Sequence, residues 1–137
     1  GNLEMLPDKS NRVTLDPDTT DKFGNPVPDV SFSVGSYANE TAEEALDIQR
    51  KILETAGGEV TRQTDPTDPN FLSHHLGTTR MGADPAESVV DSRLRTHDIE
   101  NLWCVSSSVF PTAGAANPTL TIGALALRTS EFLAEQL

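Results

Sequence analysis

Two adjacent histidines, His74 and His75, are the side chains in this sequence best suited to moving a proton. Imidazole has the ordinary pKa nearest neutrality, so a positioned histidine can act as a general base. We predict a strand just before the pair, which would direct the two side chains to opposite faces. One histidine could then face a site while the other faces away. A pair of ordinary structural histidines is the alternative.

A second candidate site lies where the small-residue segment 111–116 meets the predicted last helix. Small residues allow a ligand to approach the backbone closely. The start of a helix presents free N–H groups and positive potential, which favour an anionic or electron-rich ligand edge. Asn117 is predicted to cap this helix and to offer its amide to a ligand. An ordinary capped helix after a loop is the alternative.

Other kinds of reactive site are disfavoured by residue spacing. His74, His75 and His97 show neither His-x-His nor His-x-x-x-His spacing, so we predict no metal site. No serine lies in a Gly-x-Ser-x-Gly sequence, which argues against a serine nucleophile. Cys104 is the single cysteine, which rules out an internal disulfide, and its apolar neighbours predict a buried, unreactive thiol.

The charge of the chain excludes two classes of partner. The 137 residues carry 21 acidic and 10 basic side chains, a net charge of −11, with no cluster of Lys and Arg. Binding to nucleic acid or to an anionic membrane surface needs such a cluster, so neither partner is expected. No apolar run approaches the roughly 20 residues of a transmembrane helix.

The elements that must position these sites indicate an α+β fold. Strands are predicted at 12–15 and 30–34, with turns at 16–18 and 23–26, and the two strands suggest an antiparallel pair. A helix is predicted over 41–56, with Thr41 as N-cap, Glu44 completing a capping box and Gly57 ending it.

The C-terminal half is predicted to be mostly irregular before its final helix. Residues 64–70 form a loop, 76–95 is irregular with short strands, and 102–105 is a buried strand. The last helix begins with Asn117 as N-cap and Pro118 as first helical residue, and it runs to about 135.

Ordered blocks from about residue 71 onward resemble the glucose–methanol–choline family of flavin oxidoreductases. These blocks are His74-x-x-Gly77-Thr78-x-Arg80-Met81-Gly82, Ser88-Val89-Val90-Asp91, Asn101-Leu102-Trp103, Ser108-Val109-Phe110-Pro111-Thr112 and Asn117-Pro118-Thr119-Leu120-Thr121. The earlier residues, including 11–13 and 23–26, resemble the sugar-oxidising members more loosely.

The resemblance implies roles for both candidate sites. His74 would act at the flavin ring, His75 would be structural, and Asn117 would be the catalytic partner. FAD would be contacted by Ser106 and Ser107, which directly precede the Ser108 block, and by Pro118, Thr119 and Leu120 of the last block. Many members have Asp where this chain has Ser106, so the detailed contact there differs.

The resemblance also implies that the chain is a fragment of a two-domain flavoenzyme that oxidises an alcohol or sugar CH–OH group. Residues 1–97 would belong to the substrate domain, and 98–137 would return to an FAD domain that lies elsewhere. No Gly-x-Gly-x-x-Gly turn is present, so FAD would be bound mainly by that other domain. We expect the isolated chain to be inactive and to self-associate through its exposed docking faces. A non-redox, cyanohydrin-cleaving member and a stand-alone binding or structural module without flavin are the alternatives.

Overall fold

A computed structural model describes residues 3–63, 65, 68, 73–112 and 114–135. The regular elements of these residues are two strands and two α-helices, in the order β1 (Arg12–Thr20), β2 (Pro26–Ser31), α1 (Ser36–Thr55) and α2 (Thr119–Ala134). The loop predicted at 64–70 and the strand predicted before His74 fall largely outside the described residues. None of the helices in the described segments is both long and apolar enough to cross a bilayer.

Strands β1 and β2 form the predicted antiparallel pair, with Val13 opposite Val30. The turn predicted at 16–18 is wrong, because these residues lie within β1. The Asp16 carboxylate accepts hydrogen bonds from the backbone N–H groups of Asp18 and Thr19, and the register shifts along this stretch. The turn-forming aspartate therefore produces an irregularity in the strand instead of ending it.

The alternation of apolar and polar residues also predicted the wrong range for the second strand. Strand β2 begins at Pro26 and ends at Ser31, whereas 30–34 was predicted. Val30 is exposed. Nearly all residues of the two strands are exposed, so alternation did not correspond to burial here.

The hairpin connection confirms the turn predicted at 23–26. Gly24 has φ of 86°, a left-handed conformation that glycine adopts without steric cost. The Asp21 carboxylate accepts hydrogen bonds from the N–H groups of Asn25 at 3.0 Å and Phe23 at 2.8 Å. The bond from Asn25, and to a lesser extent the bond from Phe23, holds the pKa of Asp21 below its ordinary value.

This turn should loosen in acid. A carboxylate with a lowered folded-state pKa stabilises the turn above its ordinary pKa of 3.8, and that stability is lost as pH falls through the folded-state value. In an NMR titration, the amide proton shifts of Phe23 and Asn25 should move together with protonation of Asp21. In Asp21→Asn, which retains an acceptor oxygen, the same shifts should stay constant. A parent titration without these movements would contradict the prediction.

Helix α1 confirms the mid-chain helix but not its predicted start. The helix begins at Ser36, after Gly35 in a positive-φ conformation, so Thr41 is not the N-cap. The Thr41 hydroxyl instead donates to the carbonyl of Tyr37 at 2.8 Å. Nothing in residues 36–40 breaks a helix, so the helix extends back to the glycine. Its end agrees with prediction, because Gly57 follows with φ of 82°.

The core is built by the irregular C-terminal half and not by the hairpin or α1. Its buried members are Val90, Leu94, Val109 and Phe110, and the partly buried residues packed against them are Leu76, Met81, Cys104, Ile122 and Leu125. Residues 76–95 make only isolated bridges, such as Met81 with Val90, which confirms the predicted irregular structure but not the short strands predicted within it. The core therefore joins the histidine block to helix α2.

The buried strand predicted at 102–105 is wrong. Leu102 and Val105 are 44% and 41% exposed, and Trp103 makes only an isolated bridge to Arg95. Cys104 is half-buried, and its N–H donates to the carbonyl of Leu94 at 3.0 Å. An apolar run is buried only where another element covers it, and here the core covers Cys104 alone of the four.

Helix α2 begins at Thr119, one residue later than an Asn117 cap requires. Pro118 is the N-cap, the helix has no side-chain cap, and the Pro118 carbonyl accepts the N–H of Ile122 at 3.0 Å. The predicted capping by Asn117 is therefore wrong. The helix ends at Ala134 with Glu135 as its C-cap, which agrees with the predicted end at about 135. It is anchored by the Thr129 hydroxyl, which donates to the carbonyl of Arg93 at 3.5 Å.

Candidate functional site

His74 lies in a bend and not in a strand. Its φ is 59°, its side chain is exposed, and residues 73–77 form no strand. The Ser73 hydroxyl lies 3.5 Å from His74 Nδ1. Gly77 has φ of 86°, and a Cβ there would lie 3.3 Å from the Phe110 carbonyl oxygen, which explains a glycine three residues after the histidine.

Four hydrogen bonds place the histidine block alongside the short 3₁₀ helix at Ser107–Val109. The Ser107 hydroxyl donates to the His75 carbonyl at 2.8 Å, and the Gly77 N–H donates to the Ser107 carbonyl at 3.4 Å. Farther along, the N–H groups of Thr79 and Met81 donate to the carbonyls of Ser108 and Val109 at 2.9 Å and 2.8 Å. Two blocks that are well separated in sequence are thus fixed side by side.

Three hydroxyl groups connect these two segments through their side chains. Ser108 Oγ lies 2.5 Å from Thr79 Oγ1 and 2.6 Å from Ser106 Oγ, and Ser106 Oγ also accepts the Ser108 N–H at 3.1 Å. Sequence reasoning missed Thr79 and Ser108 as positioning residues. The available signal was two runs of hydroxyl residues, 78–79 and 106–108, in blocks that the resemblance places near one cofactor.

The hydroxyls of the two serines predicted to contact FAD therefore have partners within the protein. The Ser107 hydroxyl donates a hydrogen bond to the His75 carbonyl. Ser106 Oγ caps the 3₁₀ helix by accepting the Ser108 N–H. Ser106 is nevertheless exposed. Its oxygen and the backbone of this segment remain accessible to a ligand.

The first turn of α2 has the character expected of a site for an anionic ligand edge. Pro118 is buried, whereas Asn117, Thr119 and Leu120 are exposed, Leu120 to 88%. The first N–H groups of a helix have no intrahelical acceptor, and no side chain caps those of α2. Donors at Thr119 and Leu120 are thus open to the electron-rich edge of a flavin, and in this respect the residues fit that cofactor.

The segments that contain the two candidate sites pack against the same core cluster. Leu76, two residues after His74, and Ile122, in the second turn of α2, both pack on the cluster of Val90, Leu94, Val109 and Phe110. His97 belongs elsewhere, since its Nε2 lies 2.9 Å from Ser88 Oγ. The Ser88 hydroxyl donates to the Asp84 carbonyl at 2.6 Å, so the histidine nitrogen must donate to Ser88. No group of three or more metal-ligating side chains occurs in the part of the chain that the structure describes.

Residues 7–126 match the protein family described as GMC oxidoreductase. The chain is 38% identical to the fructose dehydrogenase large subunit of Gluconobacter japonicus, over 99% of this chain and 25% of that protein. It is 39% identical to the 2-methyl-1,2-propanediol dehydrogenase of Mycolicibacterium austroafricanum, over 97% of this chain and 24% of that protein. The chain thus spans about a quarter of the length of these relatives.

The fold is similar to that of a solved oxidase. The crystal structure of pyridoxine 4-oxidase from Mesorbium loti superposes with a TM-score of 0.63 at 24% identity, over 96% of this chain and 28% of that one. At this identity the likeness concerns the fold alone. A fragment with two antiparallel strands and two helices therefore has a counterpart within a larger enzyme.

Proposed function

The chain belongs to the GMC oxidoreductase family, and from this premise we propose that it is the C-terminal part of an FAD-dependent enzyme that oxidises an alcohol or sugar CH–OH group. The observation that carries the proposal is the packing of the His74 block and helix α2 on one core cluster. The two relatives named above are both dehydrogenases, which gives no support to a cyanohydrin lyase or a flavin-free module.

His74 is proposed to accept the proton of the substrate hydroxyl. An exposed imidazole is accessible to a substrate, and in its neutral form it has one nitrogen free to take a proton. The bend at His74 is held from the C-terminal side by the bond to the His75 carbonyl and by the Gly77 N–H. The backbone that carries the base is thereby fixed before substrate binds.

Asn117 is proposed to orient the hydroxyl. A carboxamide cannot take a proton at ordinary pH, but it can donate and accept hydrogen bonds. It lies just before the open N–H groups of Thr119 and Leu120, which would stabilise negative charge at the ligand edge next to the helix. When bound, FAD supplies the hydride acceptor, and the protein supplies positions and electrostatics.

The remaining FAD contacts are proposed to come from Ser106, Ser107 and Pro118, with most of the cofactor held by a domain outside this chain. The coverage of only a quarter of each relative supports that arrangement. On this proposal residues 1–97 serve the substrate domain, 98–137 return to the FAD domain, and the isolated chain is inactive. Apolar residues exposed on the two helices, Ile48, Ile52, Leu53 and Leu120, support its self-association.

The proposed chemistry is tested by anaerobic reduction of the flavin in the full-length protein. A panel of alcohols and sugars should include members that bleach the oxidised flavin. Asn117→Ala should slow that bleaching about 10- to 100-fold, because the hydroxyl is then no longer held in a reactive orientation. Asn101→Ala, at an exposed turn position, is the matched control and should react like the parent.

Two outcomes would contradict the proposed function. The first is a flavin that stays oxidised with every alcohol and sugar while the protein cleaves a cyanohydrin. The second is equal bleaching rates in Asn117→Ala and Asn101→Ala, which would remove Asn117 from the reaction.

A further inference from the structure

The N-terminal segment of the chain reaches the loop that precedes Asn117. Glu4 is half-buried, and its Oε1 accepts a hydrogen bond from the N–H of Gly114 at 2.9 Å. Glu4 lies before residue 7, where the match to the family begins. Gly114 lies within the matched residues 7–126, so the contact ties the segment before the matched region to a loop inside it.

The loop that contains the described residues 111, 112 and 114–117 is bounded by two buried residues but makes few hydrogen bonds of its own. Phe110 is buried before it and Pro118 is buried after it, whereas its described residues are exposed. The bond from Gly114 to Glu4 is the only hydrogen bond made by residues 111, 112 and 114–117. Gly114 has φ of 71°, and an added Cβ would find no atom within 4 Å, so packing does not restrain it.

The segment that carries Glu4 is itself attached at a second point. Lys9 Nζ lies 2.5 Å from the Glu87 carboxylate, in the turn before Ser88. Both groups are exposed, so this ion pair contributes little to stability on its own. It is a second point at which the N-terminal segment contacts the C-terminal half of the described chain.

We propose that Glu4 is a positioning residue, which holds the loop at Gly114 and so fixes where Asn117 meets the substrate. The inference rests on the proposed function of Asn117, which lies three residues after the hydrogen-bonded glycine. A hydrogen bond to an ionised acceptor is stronger than one between neutral groups. Without it, Gly114 and the residues that follow it sample more conformations, and the carboxamide spends less time in the reactive orientation.

The test uses the full-length protein with its flavin and three variants. Glu4→Ala removes the acceptor, Glu4→Gln keeps an acceptor oxygen without the charge, and Asp8→Asn removes a nearby carboxylate that bonds only to Ser10. Hydrogen exchange at Gly114 reports the loop independently of activity. Stopped-flow reduction over a range of substrate concentrations separates the limiting rate from the half-saturating concentration.

Glu4→Ala should quicken exchange at Gly114 and lower the limiting rate of flavin reduction about tenfold, with the half-saturating concentration little changed. Glu4→Gln should restore most of both properties, and Asp8→Asn should match the parent. Unchanged exchange at Gly114 in Glu4→Ala would overturn the inference. Faster exchange at Gly114 in Glu4→Ala with an unchanged rate of flavin reduction would also overturn it. In that case Asn117→Ala, measured in the same series, shows whether the proposed function survives. A series in which Asn117→Ala also reacts normally overturns both.

Discussion

Replacing His74 by alanine in the full-length protein is expected to slow flavin reduction by about 10²-fold or more, because the variant loses the general base. His75→Ala is the matched control. The structural contact of His75 is made by its backbone carbonyl, which accepts the Ser107 hydroxyl at 2.8 Å. Alanine keeps that carbonyl, so the bend and its attachment to the 3₁₀ helix should survive, and the rate should fall much less.

Stopped-flow bleaching of the oxidised flavin measures both variants under the same conditions. The flavin absorbance before mixing shows whether each variant still binds its cofactor. Equal rates for His74→Ala and His75→Ala, with flavin fully bound in both, would exclude His74 as the base. A larger loss in His75→Ala would mean that the roles of the two histidines were assigned in the wrong order.

Leu94→Ala is expected to lower the free energy of unfolding of the chain by about 2–5 kcal/mol, since it leaves a cavity in the core. Leu94 is 0% exposed and packs with Val90 and Val109. Its φ of 64° is compatible with the turn because the Asp91 carboxylate accepts the N–H groups on both sides of it, from Arg93 at 2.8 Å and Arg95 at 3.1 Å. Alanine keeps this backbone geometry, so the loss reports the missing side chain.

Leu127→Ala is the control for this substitution, because Leu127 is 70% exposed on α2. Its effect should stay within about 0.5 kcal/mol. Urea unfolding of both variants, followed by circular dichroism, gives the comparison. If Leu127→Ala were as destabilising as Leu94→Ala, the cluster around Leu94 would not be the core of this chain.

Some of the fold could be predicted from neighbouring residues because local interactions decide it. Gly24 and Gly57 mark chain reversals whose positive φ values only glycine adopts easily, and both the hairpin and the end of α1 were located correctly from them. The errors came where two local signals competed. The Asp16 carboxylate suggested a turn and formed a strand irregularity, and Thr41 suggested a cap where α1 continues back to Gly35.

The candidate site, like the fold, could be predicted from the sequence only in part. The residue types at His74 and Asn117, with the blocks around them, were enough to predict the family, and the match over residues 7–126 confirms it. The roles of the two residues stay predictions until the variants are measured. Thr79 and Ser108 could not be paired from sequence, because their 2.5 Å contact joins segments that neither periodicity nor turn chemistry relates.

Chain order and residue type alone thus established the family, the hairpin, the two helices and the residues able to do chemistry, since each depends on short stretches of backbone. Burial and long-range attachment were decided by packing. Leu102 and Val105 are as apolar as core residues but remain exposed, because no described element covers them. Glu4 reaches Gly114 only because the folded chain returns there, and no property of either residue alone predicts that contact.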